Sequence, residues 1–313
     1  MLSEKIKKML SDLQIKPSRH LGQNFLIDNS VLAKIISAAD LSSEDIVLEV
    51  GPGPGVLTIE LAKKVKKVIA VEKDKRMAEI LKNVLADKNI QNVEIIESDI
   101  LKLKTNSKSF KFYASSIAEQ LQGEKRLVGS FKIVANIPYY LTSPLIRKFL
   151  EAGNQPESMI LMIKKEVAQR ICARPPKMTL LSVAAQFYAE PKIISYVSKN
   201  SFWPKPKVDS AIIKIIPITT RISECHPNNP NIFFNLIRAG FSQPRKQLIN
   251  NLSKGLKISR EKTSQILNQA GILPTQRPGE LPVEKWLDLA WIIWGKNDII
   301  SISKIQNAKP NKT

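Results

Sequence analysis

From residue 46 onward, short apolar runs alternate with longer stretches whose apolar residues recur at helical spacing. Five of the runs predict strands: Ile46 to Val50, Val68 to Val71, Val93 to Ile96, Lys132 to Ala135 and Met159 to Ile163. Helices are predicted over Leu57 to Lys64, Arg76 to Asp87 and Lys164 to Cys172. Two later runs, Lys192 to Val197 and Ser210 to Ile216, resemble an antiparallel pair. Because alternating strands and helices form mainly parallel sheets with helices on both faces, we predict an α/β fold with a doubly wound, mainly parallel, seven-stranded sheet.

The pattern changes near residue 217. Thr, Pro and Asn are frequent over residues 217–231, which predicts a linker. Beyond it only helical spacing recurs, and the predicted helices are Phe233 to Phe241, Lys246 to Leu252, Arg260 to Ala270 and Val283 to Trp294. We therefore predict a first domain over 1–217, a small all-helical domain over 218–300 and a polar tail over 301–313.

Other segments of the first domain have weaker patterns. Residues 1–17 are basic and amphipathic, as in a short helix, and Asp28 has the position of a helix N-cap. Residues 104–111 are rich in lysine and predict a surface loop, whereas residues 114–121 predict an additional helix.

The chain is strongly basic, with a formal net charge of +20 and a pI near 9.8. Residues 1–190 carry 29 Lys/Arg against 21 Asp/Glu, a net charge of +8, and residues 191–313 carry 19 against 7, a net charge of +12. An excess of this size predicts a polyanionic partner. Its distribution favours the C-terminal third as the part that contacts phosphates.

Composition also argues against several classes of protein. The two cysteines and two histidines have no metal-ligand spacing, so we predict no metal site. So few cysteines fit a reducing compartment. The first ten residues have no apolar signal core, and no stretch approaches the roughly 20 apolar residues of a membrane span. We expect a cytoplasmic protein with no membrane partner.

A glycine-rich turn follows the first predicted strand. Gly51, Gly53 and Gly55 let the backbone pass close to a ligand, and open parallel sheets bind ligands at the carboxyl ends of their strands. The dinucleotide fingerprint needs a glycine three residues after the second one, but Val56 stands there. The spacing therefore favours a methyl-donor nucleoside over a pyrophosphate.

Acidic residues end the next two predicted strands. Glu72 can accept hydrogen bonds from both ribose hydroxyls of a nucleoside, although an NAD site would use an acid in the same way. Asp99 can accept from the adenine amino group, and the backbone of Ile100 can contact the ring. Three consecutive strand ends with these residues predict a nucleoside site.

The segment Asn136-Ile137-Pro138-Tyr139 follows the fourth predicted strand. The Asn136 side-chain oxygen and the Pro138 carbonyl can both accept from one exocyclic amino group, while Tyr139 can stack on the base. Adenine N6 is a poor nucleophile because its lone pair is delocalised into the ring. Two acceptors that orient the amino group toward a sulfonium methyl would act by positioning and electrostatics, without a general base. With the glycine turn, this segment predicts a methyltransferase that acts on adenine.

Two further segments predict contacts with nucleic acid. The proline-stiffened loop after Phe202 contains Lys205 and Lys207, and such a loop can clamp an extruded base and contact phosphate. We assign Phe202 to the second face of the target base. Arg245 and Lys246 suit phosphate contacts that hold RNA without reading its sequence.

Taken in order, these residues resemble the ribosomal RNA adenine dimethyltransferases, and more narrowly the bacterial small-subunit enzymes linked to kasugamycin sensitivity. The resemblance extends from about residue 16 to 295. The matching residues are Gly22-Gln23-Asn24-Phe25-Leu26, Glu49-Val50-Gly51-Pro52-Gly53, Glu72, Ser98-Asp99, Asn136-Ile137-Pro138-Tyr139, Phe202, Pro206-Lys207-Val208-Asp209-Ser210, Phe241 and Arg245-Lys246. The segment between Asp99 and Asn136 is longer than is usual in this family.

The resemblance implies a class I fold, S-adenosylmethionine as methyl donor and N6,N6-dimethylation of two adjacent adenosines in the 3′-terminal hairpin of small-subunit (16S) rRNA. It implies a role late in small-subunit assembly, on a pre-formed subunit, and we expect a monomer. It assigns catalysis to the first domain and RNA binding to the helical one. The family's cofactor positions fall on Asn24, Leu26, Gly51, Glu72, Asp99 and Asn136, and its target-base positions on Asn136, Tyr139 and Phe202.

Four alternatives remain open at the level of sequence. A large-subunit rRNA methyltransferase of the erythromycin-resistance type shares the base pocket, but the segments Phe202 to Ser210 and Phe241 to Asn251 favour the small-subunit enzyme. A non-catalytic assembly factor would not need an intact Asn136 and Tyr139. A dehydrogenase is disfavoured by the glycine spacing. A DNA adenine methyltransferase would use the same base chemistry.

Overall fold

The computed structural model describes residues 4, 16–18, 20–103, 131–218 and 230–294. The predictions for most of residues 1–17, for the segments 104–111 and 114–121, and for the tail over 301–313 lie outside these ranges.

The main sheet has seven strands in the order β4-β3-β2-β5-β6-β9-β7. The strand bounds are β2 Ile46–Val50, β3 Lys67–Glu72, β4 Val93–Glu97, β5 Lys132–Asn136, β6 Ser158–Lys164, β7 Ala189–Val197 and β9 Ser210–Pro217. The first five are parallel neighbours, and β9 runs antiparallel to β6. The predicted fold class is therefore confirmed.

A second, two-stranded sheet pairs β1 (Phe25–Leu26) with β8 (Phe202–Trp203). Leu26 lies opposite Phe202 in this antiparallel pair, and both side chains are buried. Neither strand was predicted, because two residues are too few to show a period. The pair brings together chain segments that are far apart in sequence.

Five helices accompany the main sheet. They are α1 Asn29–Ala39, α2 Val56–Ala62, α3 Lys75–Asp87, α4 Thr142–Leu150 and α5 Lys165–Ile171. Asp28 caps α1 as predicted, because its carboxylate accepts from the backbone N–H groups of Ser30 and Val31. The central strands are apolar almost throughout, and Ile133, Val134 and Ala135 are fully buried, since a parallel strand with helices on both faces has no solvent side.

The remaining helices are α6 Leu180–Tyr188, α7 Pro230–Gly240, α8 Leu248–Leu256, α9 Arg260–Gln269 and α10 Val283–Trp294. The pattern did not predict α4 or α6. It placed the start of α8 two residues early, because residues 242–247 with Pro244 form a turn. It placed the end four residues early, because the helix continues to Leu256 and ends where Lys257 adopts the left-handed conformation.

The chain divides into two compact units, Met1–Ala168 with Pro191–Pro217, and Gln169–Glu190 with Ile218–Thr313. The second unit contains α6 as well as the C-terminal helices. Its core includes a stack of Phe187 on Phe233, with ring centroids 4.4 Å apart, and a second stack of Tyr188 on Phe234. Aromatic contacts of this kind explain why α6 belongs with helices that follow it by more than 40 positions.

Within the described ranges, no helix has the length and apolar character required to span a bilayer.

Candidate functional site

One cleft in the first unit collects the residues predicted to bind the cofactor and the target base. It lies at the carboxyl ends of β2, β3 and β5 and extends past β4. The predicted residues that line it are Asn24, Leu26, Gly51, Gly53, Glu72, Asp99, Ile100, Asn136, Pro138, Tyr139 and Phe202. Their shared location follows from the parallel sheet, since parallel strands end at the same edge.

The glycine turn adopts backbone conformations that other residues avoid. Gly51, Gly53 and Gly55 have φ values of +70°, +54° and +88°. The N–H of Gly51 donates to the carbonyl of Val71 at 2.9 Å and so attaches the turn to the neighbouring strand. A Cβ on Gly55 would lie 2.5 Å from Leu81 Cδ1, so packing as well as φ requires glycine there.

Glu72 is a buried carboxylate fixed by the backbone. Its Oε2 accepts from the N–H of Gly53 at 3.0 Å, and its Oε1 accepts from the N–H groups of Lys73 and Asp74 at 2.8 and 2.9 Å. Burial raises its pKa in spite of these hydrogen bonds. A carboxylate has about four acceptor positions, so three backbone donors leave room for a hydroxyl.

Asp99 lies just beyond β4 and is held by Lys73. The Lys73 ammonium is 2.9 Å from Asp99 Oδ2, and the N–H of Leu101 donates to Oδ1 at 3.0 Å. The hydrogen bond from Lys73 lowers the pKa of the Asp99 carboxyl, so it is an anionic acceptor at neutral pH.

Glu49 is a second buried carboxyl at the floor of the cleft. It is 1% exposed, and its Oε2 has no hydrogen-bond partner among the described residues. Burial raises its pKa to about 8, and the negative charge of Glu72 contributes to the rise. At neutral pH this carboxyl is therefore largely protonated, unlike Asp99.

The Asn136 amide is oriented by the loop that precedes β1. Asn136 Nδ2 donates to the backbone carbonyl of Asn24 at 3.3 Å, and Asn24 Nδ2 donates to the carbonyl of Gly22 at 3.0 Å. Within the described ranges no donor contacts Asn136 Oδ1. The amide oxygen is thus left as an acceptor at the end of β5.

Tyr139 is held at its hydroxyl and over its ring. The hydroxyl forms a 2.8 Å hydrogen bond with Ser210 Oγ, and Lys164 Nζ lies 5.2 Å from the ring centroid. Lys164 is not among the residues that line the cleft. Burial raises the pKa of the Tyr139 hydroxyl, so it is protonated at neutral pH.

Pro138 and Phe202 reach the cleft in different ways. The Pro138 carbonyl already accepts from the N–H of Leu141 at 2.9 Å, which leaves its second lone pair for another donor. Phe202 is 3% exposed and packs in the core beside Leu26 and Val31, so its ring reaches the cleft as part of a rigid wall.

The four basic residues assigned to RNA are all exposed. Lys205 and Lys207 lie in the loop between β8 and β9, and Arg245 and Lys246 lie between α7 and α8 in the other unit. The pattern missed Lys73 and Tyr140, which line the cleft, and Lys164, which lies over the Tyr139 ring. A positional signal existed for Lys164, since it ends β6 at the same sheet edge as the cleft.

Among the residues that the structure describes, no cluster of three or more His, Cys, Asp or Glu could hold a metal ion.

Comparison with known proteins matches residues 15–294 to the family described as "Ribosomal RNA adenine dimethylase". A curated relative from Dehalococcoides mccartyi, named ribosomal RNA small subunit methyltransferase A, is 42% identical over 92% of this chain and 92% of its own length. A relative with the same name from Clostridium botulinum is 39% identical over 92% of this chain and 98% of its own length.

Two solved structures share the fold over most of the chain. A dimethyladenosine transferase from Plasmodium falciparum is 27% identical with a TM-score of 0.68, covering 85% of this chain and 95% of that structure. The 23S rRNA methyltransferase ErmE is 25% identical with a TM-score of 0.64, covering 86% of this chain and 99% of that structure.

Proposed function

This chain belongs to the ribosomal RNA adenine dimethylase family, and we propose that it transfers methyl groups to N6 of two adjacent adenosines in the 3′-terminal hairpin of small-subunit rRNA. It is an S-adenosylmethionine-dependent rRNA adenine-N6,N6-dimethyltransferase. The residue assignments and the physical account that follow are our proposal.

S-adenosylmethionine carries an electrophilic methyl group on a sulfonium. The cleft fits its nucleoside part, because Glu72 retains acceptor capacity for ribose hydroxyls and Asp99 is an anionic acceptor for an adenine amino group. Gly51 and Gly53 place no side chain in the cleft, and Ile100, Asn24 and Leu26 contribute to its walls.

The observation that carries the proposal is the fixed orientation of the Asn136 amide. Because Nδ2 is engaged by the Asn24 carbonyl, Oδ1 is available to accept from the target amino group. The second lone pair of the Pro138 carbonyl offers another acceptor two residues along the chain. Two fixed acceptors orient the N6 lone pair without removing a proton, which is catalysis by positioning and electrostatics.

Tyr139 and Phe202 would hold the ring of the target base. Tyr139 is restrained by Ser210 and Lys164 before any substrate binds, so little side-chain entropy is lost when a base stacks on it. Stacking on an aromatic side chain typically contributes about 1–3 kcal/mol per base.

We further propose that the substrate is rRNA within a pre-formed small subunit. The relatives named for the small subunit match at 39–42% identity, whereas the 23S rRNA methyltransferase ErmE matches at 25%. We propose that the protein acts in the cytoplasm as a monomer and that the helical domain over 218–300 contacts RNA through Arg245 and Lys246.

A direct test incubates the protein with labelled S-adenosylmethionine and either small subunits that lack the modification, large subunits or naked DNA. We expect label as dimethyladenosine in small-subunit RNA alone. Label in the large subunit would indicate a large-subunit rRNA methyltransferase of the erythromycin-resistance type. Binding without label would indicate an assembly factor that has lost its chemistry.

The base pocket has its own test. We expect Asn136→Ala to reduce methyl transfer by at least about 100-fold, since one positioned group typically contributes this much. Thermal unfolding should change little, because Asn136 is only partly buried. Asn83→Ala, at an exposed position of α3, is the matched control and should transfer methyl groups at the normal rate. Normal turnover by Asn136→Ala would refute the assignment.

A further inference from the structure

Two consecutive lysines at the junction of β6 and α5 each lie over a tyrosine ring. Lys164 Nζ is 5.2 Å from the ring centroid of Tyr139, the cleft tyrosine. Lys165 Nζ is 5.1 Å from the ring centroid of Tyr196 on β7. The first pair serves the proposed base pocket, whereas the second has no role in the chemistry described above.

Tyr196 is one of the most exposed aromatic residues of the first unit. It is 52% exposed in spite of the nearby Lys165. β7 is the edge strand of the main sheet, and its exposed residues alternate along the strand, so Lys192, Ile194 and Tyr196 share one face. Because more than half of the Tyr196 side chain is exposed, core packing does not account for a large aromatic ring at this position.

The surroundings of Tyr196 are positively charged. Lys192 shares the exposed face of β7 with Tyr196, as does the acidic Glu190, and Lys199 follows Tyr196 by three residues. Lys165 itself forms a cation–π contact, which keeps its charge beside the ring. Aromatic rings together with such cations are the features that single-stranded nucleic acids require, since bases stack and phosphates pair with the charges.

A backbone hydrogen bond connects Lys165, the partner of Tyr196, to the strand beside the base pocket. The N–H of Lys165 donates to the carbonyl of Asp209 at 3.0 Å. The next residue, Ser210, lies opposite Lys164 in the pairing of β6 with β9 and also bonds the Tyr139 hydroxyl. Lys165, at the start of α5, is therefore held next to a strand that carries the partner of Tyr139, and Tyr196 of β7 lies under Lys165.

We propose that Tyr196 and Lys165 form a second base-stacking site, which binds an unpaired RNA base flanking the target adenosine. The site rests on the proposed function, because it deepens the account of how that RNA substrate is held. The base stacks on the exposed part of the Tyr196 ring, and Lys165 contacts an adjacent phosphate. The site affects only how tightly and in which register the RNA binds, since it lies outside the cleft where methyl transfer occurs.

The test compares Tyr196→Ala with Tyr196→Phe in the full chain. We measure the Kd for small subunits that lack the modification, the KM for the same particles, kcat at saturation and the Kd for S-adenosylmethionine. For Tyr196→Ala we expect the Kd and KM for RNA to rise about 10-fold, a typical loss for one stacked base. kcat and the cofactor Kd should stay within about twofold, and Tyr196→Phe should behave as wild type because it keeps the ring.

Several results would overturn the site. An RNA Kd for Tyr196→Ala equal to that of wild type would do so. So would a Tyr196→Phe variant as weak as Tyr196→Ala, since the hydroxyl and not stacking would then matter. A loss of kcat with unchanged KM would also contradict it, because that is the pattern of a disturbed pocket. Thermal unfolding of each variant shows whether the fold is kept, and an exposed residue on an edge strand is expected to leave it unchanged.

Lys165 gives an independent measurement. Lys165→Met keeps the length of the side chain and removes its charge, so the salt slope of RNA binding should fall by about one, whereas Lys165→Arg should keep the slope. An unchanged slope in Lys165→Met would argue against the phosphate contact. If wild type fails to methylate small-subunit RNA, the proposed function fails, yet the Kd comparison still tests Tyr196. If wild type methylates normally and Tyr196→Ala binds normally, only this inference fails.

Discussion

Two buried glutamates of the cleft differ in their hydrogen bonds and, as a result, in how far their pKa values rise. Glu72 accepts from three backbone N–H groups, whereas Glu49 has one oxygen without any partner among the described residues. Hydrogen bonds to a carboxylate favour its charged form, and burial without them favours the protonated form. Glu49 therefore has the larger pKa shift, to about 8.

The Glu49 shift predicts a pH dependence of stability. An acid whose folded pKa is above its unfolded value of 4.5 stabilises the fold below that value, and this contribution is lost as pH rises toward 8. In this window Glu49 should lower the free energy of unfolding by about 1 kcal/mol per pH unit. Glu72 acts in the same direction, because burial also raises its pKa.

The measurement is urea unfolding of wild type and Glu49→Gln from pH 5 to pH 8. Gln keeps the shape of the side chain but does not ionise, so the variant should gain stability relative to wild type as pH rises. Parallel pH profiles of the two proteins would show that Glu49 does not titrate in this range.

At the scale of elements, the turn between α7 and α8 depends on one buried amide. Asn251 is 4% exposed, and its Nδ2 donates to the carbonyls of Gly240 at 2.6 Å and Gln243 at 3.0 Å. These carbonyls lie at the end of α7 and in the turn that contains Arg245 and Lys246. The amide of α8 thus fixes the position of two residues assigned to phosphate contacts.

Asn251→Ala should lower the free energy of unfolding by about 1–3 kcal/mol, because it leaves buried carbonyls without a donor. RNA affinity should fall as well, since the turn is no longer held. The control is Asn250→Ala, which removes only an exposed hydrogen bond from Arg260. Equal stabilities of the two variants by urea unfolding would contradict this role of Asn251.

Over the whole molecule, charge is the dominant property for recognition. The net charge of +20 attracts any polyanion, whereas we propose that base contacts in the cleft decide which nucleotide reacts. Lys205 and Lys207 belong to one unit and Arg245 and Lys246 to the other, so both units supply cations. A protein of this kind should bind RNA tightly before it distinguishes one adenosine from another.

RNA binding should therefore weaken steeply with salt. Four phosphate contacts imply a slope of about −3 for log K against log salt, which is roughly a 50-fold loss of affinity between 50 and 200 mM. Filter binding to small subunits at several salt concentrations measures the slope. A variant in which Lys205, Lys207, Arg245 and Lys246 are all changed to Gln should have a shallower slope. A flat slope in wild type would contradict the assignment of these residues to phosphate contacts.

The sequence predicted much of the fold and of the site because both depend on short-range patterns. Strand-length apolar runs and helical spacing are local, so the seven strands were found together with most of the helices. The residues of the glycine turn and of Asn136 to Tyr139 follow strands, and strand ends of a parallel sheet meet at one edge. Helix α6 was missed because it is apolar on nearly every side, which hides its period.

What the sequence alone determined was the α/β class, the resemblance to a family and the residues of the cleft. Only the tertiary structure decided how distant residues pair: Asn24 with Asn136, Leu26 with Phe202, and Lys165 with Tyr196. It also decided that residues 169–190 pack with the later helices. The physical reason is that periodicity reports only which face of an element is apolar. Its partners depend on the order of strands and on side-chain packing, which no local pattern contains.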